Sequence, residues 1–116
     1  MITIFTLKSC DTCKKALKWL DSEGIAYQNH DVRADGLSRQ KITDIVQAVG
    51  WEVALNRRST TWRQLEEGRK ADVDAQKAVD LIEEHPTLLK RPVFVVGDTM
   101  VVGFDAKAQV RLGELI

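Results

Sequence analysis

The chain changes its hydrophobic period at one point, and that point carries both of its cysteines. Ile2-Thr3-Ile4-Phe5-Thr6-Leu7 interleaves apolar side chains with threonine, the period-two, β-branched pattern of a strand with one buried face. From Cys13 the apolar residues fall instead at Cys13, Ala16, Leu17 and Leu20, the i, i+3, i+4, i+7 stripe of a helix, with Gly24 placed to stop it. A strand therefore runs into a helix through Cys10-Asp11-Thr12-Cys13. Cys10 is expected at or just before the helix N-terminus, where unpaired N–H groups and the positive end of the helix dipole favour thiolate over thiol. Lys8, Lys14 and Lys15 act in the same sense, whereas Asp11 either opposes them or caps the helix. Lys14 itself reads equally as a solvated helix residue and as a thiolate stabiliser.

Thiol redox chemistry is the leading reading of this pair. The bland alternative is two small apolar side chains that happen to lie three apart. A structural zinc site needs four ligands, yet there is no second cysteine pair, and His30 and His85 have no finger spacing. His30 reads as a surface histidine. No metal is expected. A disulfide closing so short a loop removes little entropy from the unfolded chain, so a bridge here is better suited to reversible exchange than to stapling.

With 116 residues, 44% of them apolar and 29% charged, the chain is expected to fold as one domain without staples. Its formal charge is zero, and it has no basic run, membrane-length apolar span or signal-like start. Nucleic-acid and membrane binding are not expected. A monomer in the reducing cytoplasm is.

Ile25-Ala26-Tyr27-Gln28-Asn29-His30 is a second strand candidate, which makes strand, helix, strand a βαβ unit, followed by the turn residues Ala34-Asp35-Gly36. Ser38 is a good N-cap, with Leu37 and Ile42 at the positions of a hydrophobic staple, for a helix with stripe Ile42, Ile45, Val46 and Val49 that ends at Gly50. Asp72 or Asp74 caps a further helix with stripe Ala75, Ala78, Val79 and Ile82, stopped at His85-Pro86. Between these helices, residues 51–70 read as irregular and arginine-rich. Pro92 opens Val93-Phe94-Val95-Val96, Gly97-Asp98 suits a type II′ turn, and Met100-Val101-Val102 returns as a second strand. A last helix is expected from Ala106, using Ala108, Val110, Leu112 and Leu115 and weakened near its end by Gly113. Trp19, Trp51 and Trp62 read as packing residues.

This order of elements matches an α/β thioredoxin-like fold with a helical region inserted over about residues 37–86. Cys10-Asp11-Thr12-Cys13-Lys14-Lys15-Ala16, Asn56-Arg57-Arg58-Ser59-Thr60-Thr61-Trp62, Pro86-Thr87-Leu88-Leu89-Lys90-Arg91-Pro92 and Val102-Gly103-Phe104 resemble, in order, the arsenate-reductase-related family of ArsC, Spx and YffB proteins. Asp35-Gly36-Leu37, Gly50-Trp51-Glu52 and Arg58-Ser59-Thr60-Thr61-Trp62-Arg63 look most similar to the YffB-like branch, which implies a glutathione-dependent thiol reductase.

The resemblance places the nucleophile at Cys10 and anion-binding arginines at Arg57 and Arg91, with Arg58 beside the first. Composition alone would make Arg57 and Arg58 a solvated surface pair. It also implies a cis Pro92 facing the cysteine, where the local sequence fits a strand-start proline equally well. Arsenate reductases proper draw a third arginine from the last strand; Val102-Gly103-Phe104 has none. The expected mechanism is attack by the Cys10 thiolate on a disulfide, resolution by Cys13, and reduction by glutathione or a glutaredoxin- or thioredoxin-type partner, with no tightly bound cofactor. Two other readings are an arsenate reductase using Cys10 with glutathione and an Spx-like redox-sensing regulator that binds RNA polymerase.

Overall fold

The computed structural model describes residues 1–116, which divide into two compact units: residues 1–35 with 91–116, and residues 36–90. The first unit is built on a four-stranded sheet. Its strands are β1 (Ile2–Thr6), β2 (Tyr27–Asp31), β3 (Val93–Val96) and β4 (Thr99–Val102), in the spatial order β2-β1-β3-β4. β1 and β2 are parallel, as a βαβ crossover requires, with Ile2 opposite Tyr27. β3 runs antiparallel to both β1 and β4.

Helix α1 (Asp11–Ser22) makes the crossover. It ends in a Schellman motif: the Gly24 N–H bonds to the Asp21 carbonyl and the Ile25 N–H to the Leu20 carbonyl, with Gly24 at φ +67°. The β3–β4 turn places Gly97 at φ +60°, while Asp98 is not among the residues of positive φ, the pattern of type II′. Helix α7 (Ala106–Leu115) is capped by Asp105, whose carboxylate accepts from the Ala108 N–H at 2.9 Å.

Ile2, Ile4, Phe94 and Val101 of the sheet and Ala16, Leu20, Ala108 and Leu112 of α1 and α7 form one buried cluster. Full burial of a side chain such as Phe94 stabilises by roughly 1.5–3 kcal/mol. Trp19 packs at the cluster's margin with its ring 5.6 Å from Phe104. Val110, expected in the α7 stripe, is 65% exposed: its register on the helix lies away from Ala108 and Leu112. α7 also continues through Gly113 to Leu115. The unit has the α/β thioredoxin-like arrangement expected of the sequence.

The second unit is helical. α2 (Arg39–Val49) is capped by Ser38, whose Oγ accepts from the Lys41 N–H at 3.2 Å. α6 (Ala75–Glu84) is capped by Asp74, whose carboxylate accepts from the Lys77 N–H at 2.8 Å. Asp74 rather than Asp72 is therefore the cap, and Asp72 lies before it at φ +52°. Ile42, Ile45, Val46, Ala78, Val79, Leu81 and Ile82 are buried. On the surface Arg39 of α2 reaches Asp80 at 2.8 Å and Glu83 at 3.1 Å on α6.

Residues 51–70, expected to be irregular, instead form three single turns, α3 (Trp51–Ala54), α4 (Thr60–Gln64) and α5 (Glu67–Lys70). Each is too short to show a helical period. Ser59 still leaves a local signature at α4, its Oγ accepting from the Trp62 N–H. A 3₁₀ turn (Pro86–Leu88) follows α6, and a bridge between Leu55 and Leu89 ties α3 to the chain beyond it. The unit thus reaches Lys90, beyond the expected boundary at 86. No helix is long and apolar enough to cross a membrane.

Candidate active site

Cys10 is the N-cap of α1, extended at φ −89° and ψ 115°, and its side chain does not cap the helix. Its N–H is held by the Leu7 carbonyl at 2.9 Å, and its own carbonyl accepts from Lys14 at 3.1 Å. The thiol is half-buried. Burial pushes its pKa up, but the Cys13 backbone N–H, the Cys13 thiol, the Arg91 charge and a hydrogen bond from Arg91 outweigh it and hold the thiol below its ordinary value. Cys13, on the buried stripe, is 1% exposed. Burial, together with the neighbouring Cys10, pushes its thiol up to about 12 despite a backbone hydrogen bond from Leu7 and the Arg91 charge. The two thiols are thus driven apart, one toward the thiolate and one toward a neutral S–H that donates to it.

Arg91 comes from a chain segment some eighty residues away, and the sheet brings it there. Val93 of β3 lies opposite Phe5 of β1 in an antiparallel pair. Arg91 precedes β3 by two residues, at the same end of the pair where β1 leads into the cysteine loop. The Arg91–Pro92 peptide bond is cis, Pro92 is buried, and its carbonyl accepts from the Gly103 N–H at 2.8 Å. Phe104 next to it packs 6.1 Å from Phe94, so the stretch Val102-Gly103-Phe104 presents an aromatic ring to the core rather than a cation.

Sequence reasoning passed over Asp31. Its carboxylate accepts from the backbone N–H groups of Lys8, Arg33 and Ala34 at 2.9, 2.8 and 2.8 Å, tying the loop before Cys10 to the end of β2. The Ala34 amide, joined by the Arg33 and Lys8 amides and the Arg33 charge, holds its pKa below the usual carboxylate range against the opposing effect of burial. An aspartate at the end of a strand, followed by a turn, was the available signal. Nearby, Thr6 is 2% exposed and its hydroxyl donates to Asn29 Oδ1 at 2.6 Å. His30, read as a surface residue, is half-buried with its ring 5.0 Å from Phe5.

A cleft of about 670 Å³ opens in this unit between Leu7, Lys8, Ser9, Lys14, Asp31, Arg33 and Ala34. Lys14 is 65% exposed, and its Nζ lies 4.0 Å from the Asp11 carboxylate. The structure thus gathers Cys10, Cys13, Lys14, Arg91 and Pro92 within one unit. Arg57 and Arg58 belong to the helical unit, where with Lys90, Glu52 and Asn56 they line a separate cavity of about 390 Å³. The Arg57 guanidinium lies 5.6 Å over the Trp51 ring, and the Arg58 N–H bonds to Asn56 Oδ1 at 3.1 Å. No group of three or more His, Cys, Asp or Glu side chains converges as metal ligands would.

Known proteins bear on this geometry. The chain is 44% identical over 107 residues to an uncharacterized protein of Haemophilus influenzae, covering 92% of this chain and 94% of that one. It is 31% identical over 110 residues to the global transcriptional regulator Spx of Streptococcus mutans, covering 90% of this chain and 77% of Spx. The structure of the YFFB protein superposes at a TM-score of 0.92 with 38% identity over the full length of both chains. An arsenate reductase (ArsC) related protein from Brucella melitensis does so at 0.78 with 38% identity, over 98% of this chain and 95% of that one. An arsenate reductase from Vibrio cholerae shares the fold at a TM-score of 0.80 with 18% identity, over 99% and 97%. The family model for ArsC matches residues 5–111, and the chain belongs to the ArsC family.

Proposed function

We propose that this protein is a glutathione-dependent thiol–disulfide oxidoreductase with Cys10 as its nucleophile. The observation that carries the reading is the opposed tuning of two cysteines on one helix turn beside Arg91: Cys10 is held toward the thiolate, and Cys13 is kept neutral by burial. A nucleophile needs the first state and a hydrogen-bond donor to that nucleophile needs the second.

The Cys10 thiolate attacks the glutathionyl sulfur of a mixed disulfide R–S–S–G. The S–S bond breaks, RS⁻ departs and takes a proton from solvent, and a Cys10–S–S–G bond forms. A second glutathione thiolate attacks the glutathionyl sulfur, giving GSSG and restoring the Cys10 thiolate. Net, R–S–S–G and GSH become RSH and GSSG. Arg91 stabilises the thiolate at the beginning and end of the cycle by charge and hydrogen bond. Cys13, expected from the sequence to resolve the intermediate, is suited by its burial to donate its S–H to Cys10. The missing cation at Val102-Gly103-Phe104 supports a disulfide over arsenate as substrate.

The test is the pH dependence of alkylation at each cysteine of the reduced protein, resolved by peptide mass spectrometry. Cys10 should react at a plateau rate from a pH below the ordinary thiol value of about 8.5, and Cys13 should lag throughout. Two thiols titrating together at the ordinary value would overturn the enzymatic reading.

The identity to Spx favours a second reading, a redox-controlled transcriptional regulator. Co-purification with RNA polymerase that depends on the oxidation state of Cys10, in a protein without turnover on glutathionylated peptides, would select it.

A further inference from the structure

We propose that Asp31 is a positioning residue for Cys10, acting through the peptide group between Leu7 and Lys8; this rests on the reading of Cys10 as the nucleophile. The N–H of that group, on Lys8, donates to Asp31 Oδ2 at 2.9 Å. Its carbonyl, on Leu7, accepts from the Cys10 N–H at 2.9 Å. One planar group therefore links the carboxylate to the nucleophile's backbone, and its orientation is fixed from both ends. Hydrogen bonds joined in this way polarise one another, and the bond at the carboxylate end is the charge-assisted, stronger one. Leu7 meets the second cysteine as well, since its own N–H bonds to the Cys13 sulfur.

The aspartate's two oxygens have different tasks. Asp31 stands opposite Thr6 in the register of β1 and β2, at the last pair before the cysteine loop. Its Oδ1 accepts from the Arg33 and Ala34 N–H groups at 2.8 Å each, an ordinary turn of an aspartate on its own backbone. The Asp31 N–H donates to Asp35 Oδ2 at 2.9 Å and its carbonyl accepts from the Asp35 N–H at 2.9 Å, so backbone and side chain are both held. A turn needs only one carboxylate oxygen. The other, Oδ2, leaves the turn for Lys8, 23 residues away in the chain. Through that bond the end of β2 sets where Cys10 sits as the N-cap of α1, at φ −89° and ψ 115°, the placement from which its thiol meets the Cys13 N–H and Arg91. By charge alone a carboxylate would push a thiol up, so Asp31 favours the thiolate only by position.

Asp31→Asn tests the sign of the effect. An amide has one accepting oxygen, which the two turn N–H groups hold, so its NH₂ faces the Lys8 N–H and the link to Cys10 is lost. Removing a negative charge would lower the Cys10 pKa, whereas losing the position raises it. Alkylation of Cys10, followed against pH by peptide mass spectrometry, should move to higher pH in Asp31→Asn and slow about threefold below its plateau, the measure of half a pKa unit. Asp35→Asn, the same charge change four residues on, keeps an oxygen for the Asp31 N–H and should not raise the profile. In the wild type the amide of Lys8, an exposed residue, should exchange slowly with solvent, and in Asp31→Asn it should quicken while Cys13 still lags in alkylation as a buried thiol. Rapid Lys8 exchange in the wild type, a Cys10 profile unmoved or moved to lower pH in Asp31→Asn, or an equal rise in Asp35→Asn would each overturn the proposal and leave Cys10 as the nucleophile. A wild-type Cys10 that titrates at the ordinary thiol value would overturn the nucleophile itself, and the proposal with it.

Discussion

Residues 36–90 form their unit from one uninterrupted stretch of chain, whereas the unit that carries both cysteines joins residues 1–35 to residues 91–116. The helical unit is specified by nearby signals. Ser38, Ser59 and Asp74 each satisfy an N–H three residues on, and α2 and α6 present apolar stripes that their own sequence announces. The sheet unit depends on a pairing of β1 with β3 across almost the whole chain, and that pairing delivers Arg91 to Cys10. Chemistry that needs two distant residues is thus placed on the long-range element, and the local element supplies packed helices around its own core.

The sharpest way to test that division is at Cys10 itself. Cys10→Ser should reduce turnover of a glutathionylated peptide to background, because the serine hydroxyl does not ionise near neutrality. Cys13→Ser should retain turnover, since a hydroxyl still donates to the Cys10 thiolate. Loss of turnover in Cys13→Ser with a normal Cys10 alkylation profile would restore Cys13 as the resolving thiol.

Phe94→Ala comes next. The ring is fully buried where β3 meets α1 and α7, so truncation should cost about 3–5 kcal/mol in denaturant unfolding. By hydrogen exchange, the loss of protection should be deepest in residues 1–35 and 91–116. Equal loss through residues 36–90 would break the comparison and make the chain one cooperative whole.

Arg91→Gln has a smaller effect, on charge rather than packing. Removing the guanidinium should raise the Cys10 pKa and move its alkylation profile to higher pH. The same shift is linked to stability. A thiol that titrates lower in the folded than in the unfolded protein contributes stability above the unfolded value of about 8.5, which is lost as pH falls through the folded value. Arg91→Gln should shrink that contribution. Cys13 has the opposite sign: held up to about 12, it makes the fold lose stability as pH rises above the unfolded thiol's value. An alkylation profile unchanged in Arg91→Gln would remove Arg91 from the site.

How much could be read beforehand follows the same division. The β1 alternation, the α1 stripe with Gly24, the Ser38 cap and the Gly97 turn each act within a few residues, and each was legible. The turns α3 to α5 were not, because four or five residues cannot display a 3.6-residue period. Val110 misled, because apolar character at helical spacing does not say which face the core will cover. At the site, Cys10 and Lys14 were visible from the strand-to-helix transition alone. Arg91 was visible only through family resemblance, since nothing local announces the β1–β3 register. Asp31 was missed because its bond from the Lys8 N–H forms only once β2 lies beside β1, whereas its bonds from the Arg33 and Ala34 N–H groups are those of an ordinary turn.

The smallest effects are those of the caps, and they divide the two units most cleanly. Ser38→Ala removes one hydrogen bond to the Lys41 N–H and should cost about 1 kcal/mol, felt at the first turn of α2. Asp105→Ala removes the matching bond to the Ala108 N–H and should cost a similar amount. Their consequences should differ. α7 lies against the sheet through Ala108 and Leu112, which are pinned by Ile2, Ile4 and Phe94, so the helix has long-range contacts to hold it when its cap is lost. The start of α2 is held, besides its cap, by buried Ile42 and by solvent-exposed pairs of Arg39 with Asp80 and Glu83 that contribute little, and exchange at residues 39–42 should quicken in Ser38→Ala by more than exchange at residues 106–109 does in Asp105→Ala. Equal fraying at the two helix starts would mean that capping weighs as heavily in the sheet unit as in the helical one, and that the long-range pairing positions Arg91 without also anchoring α7.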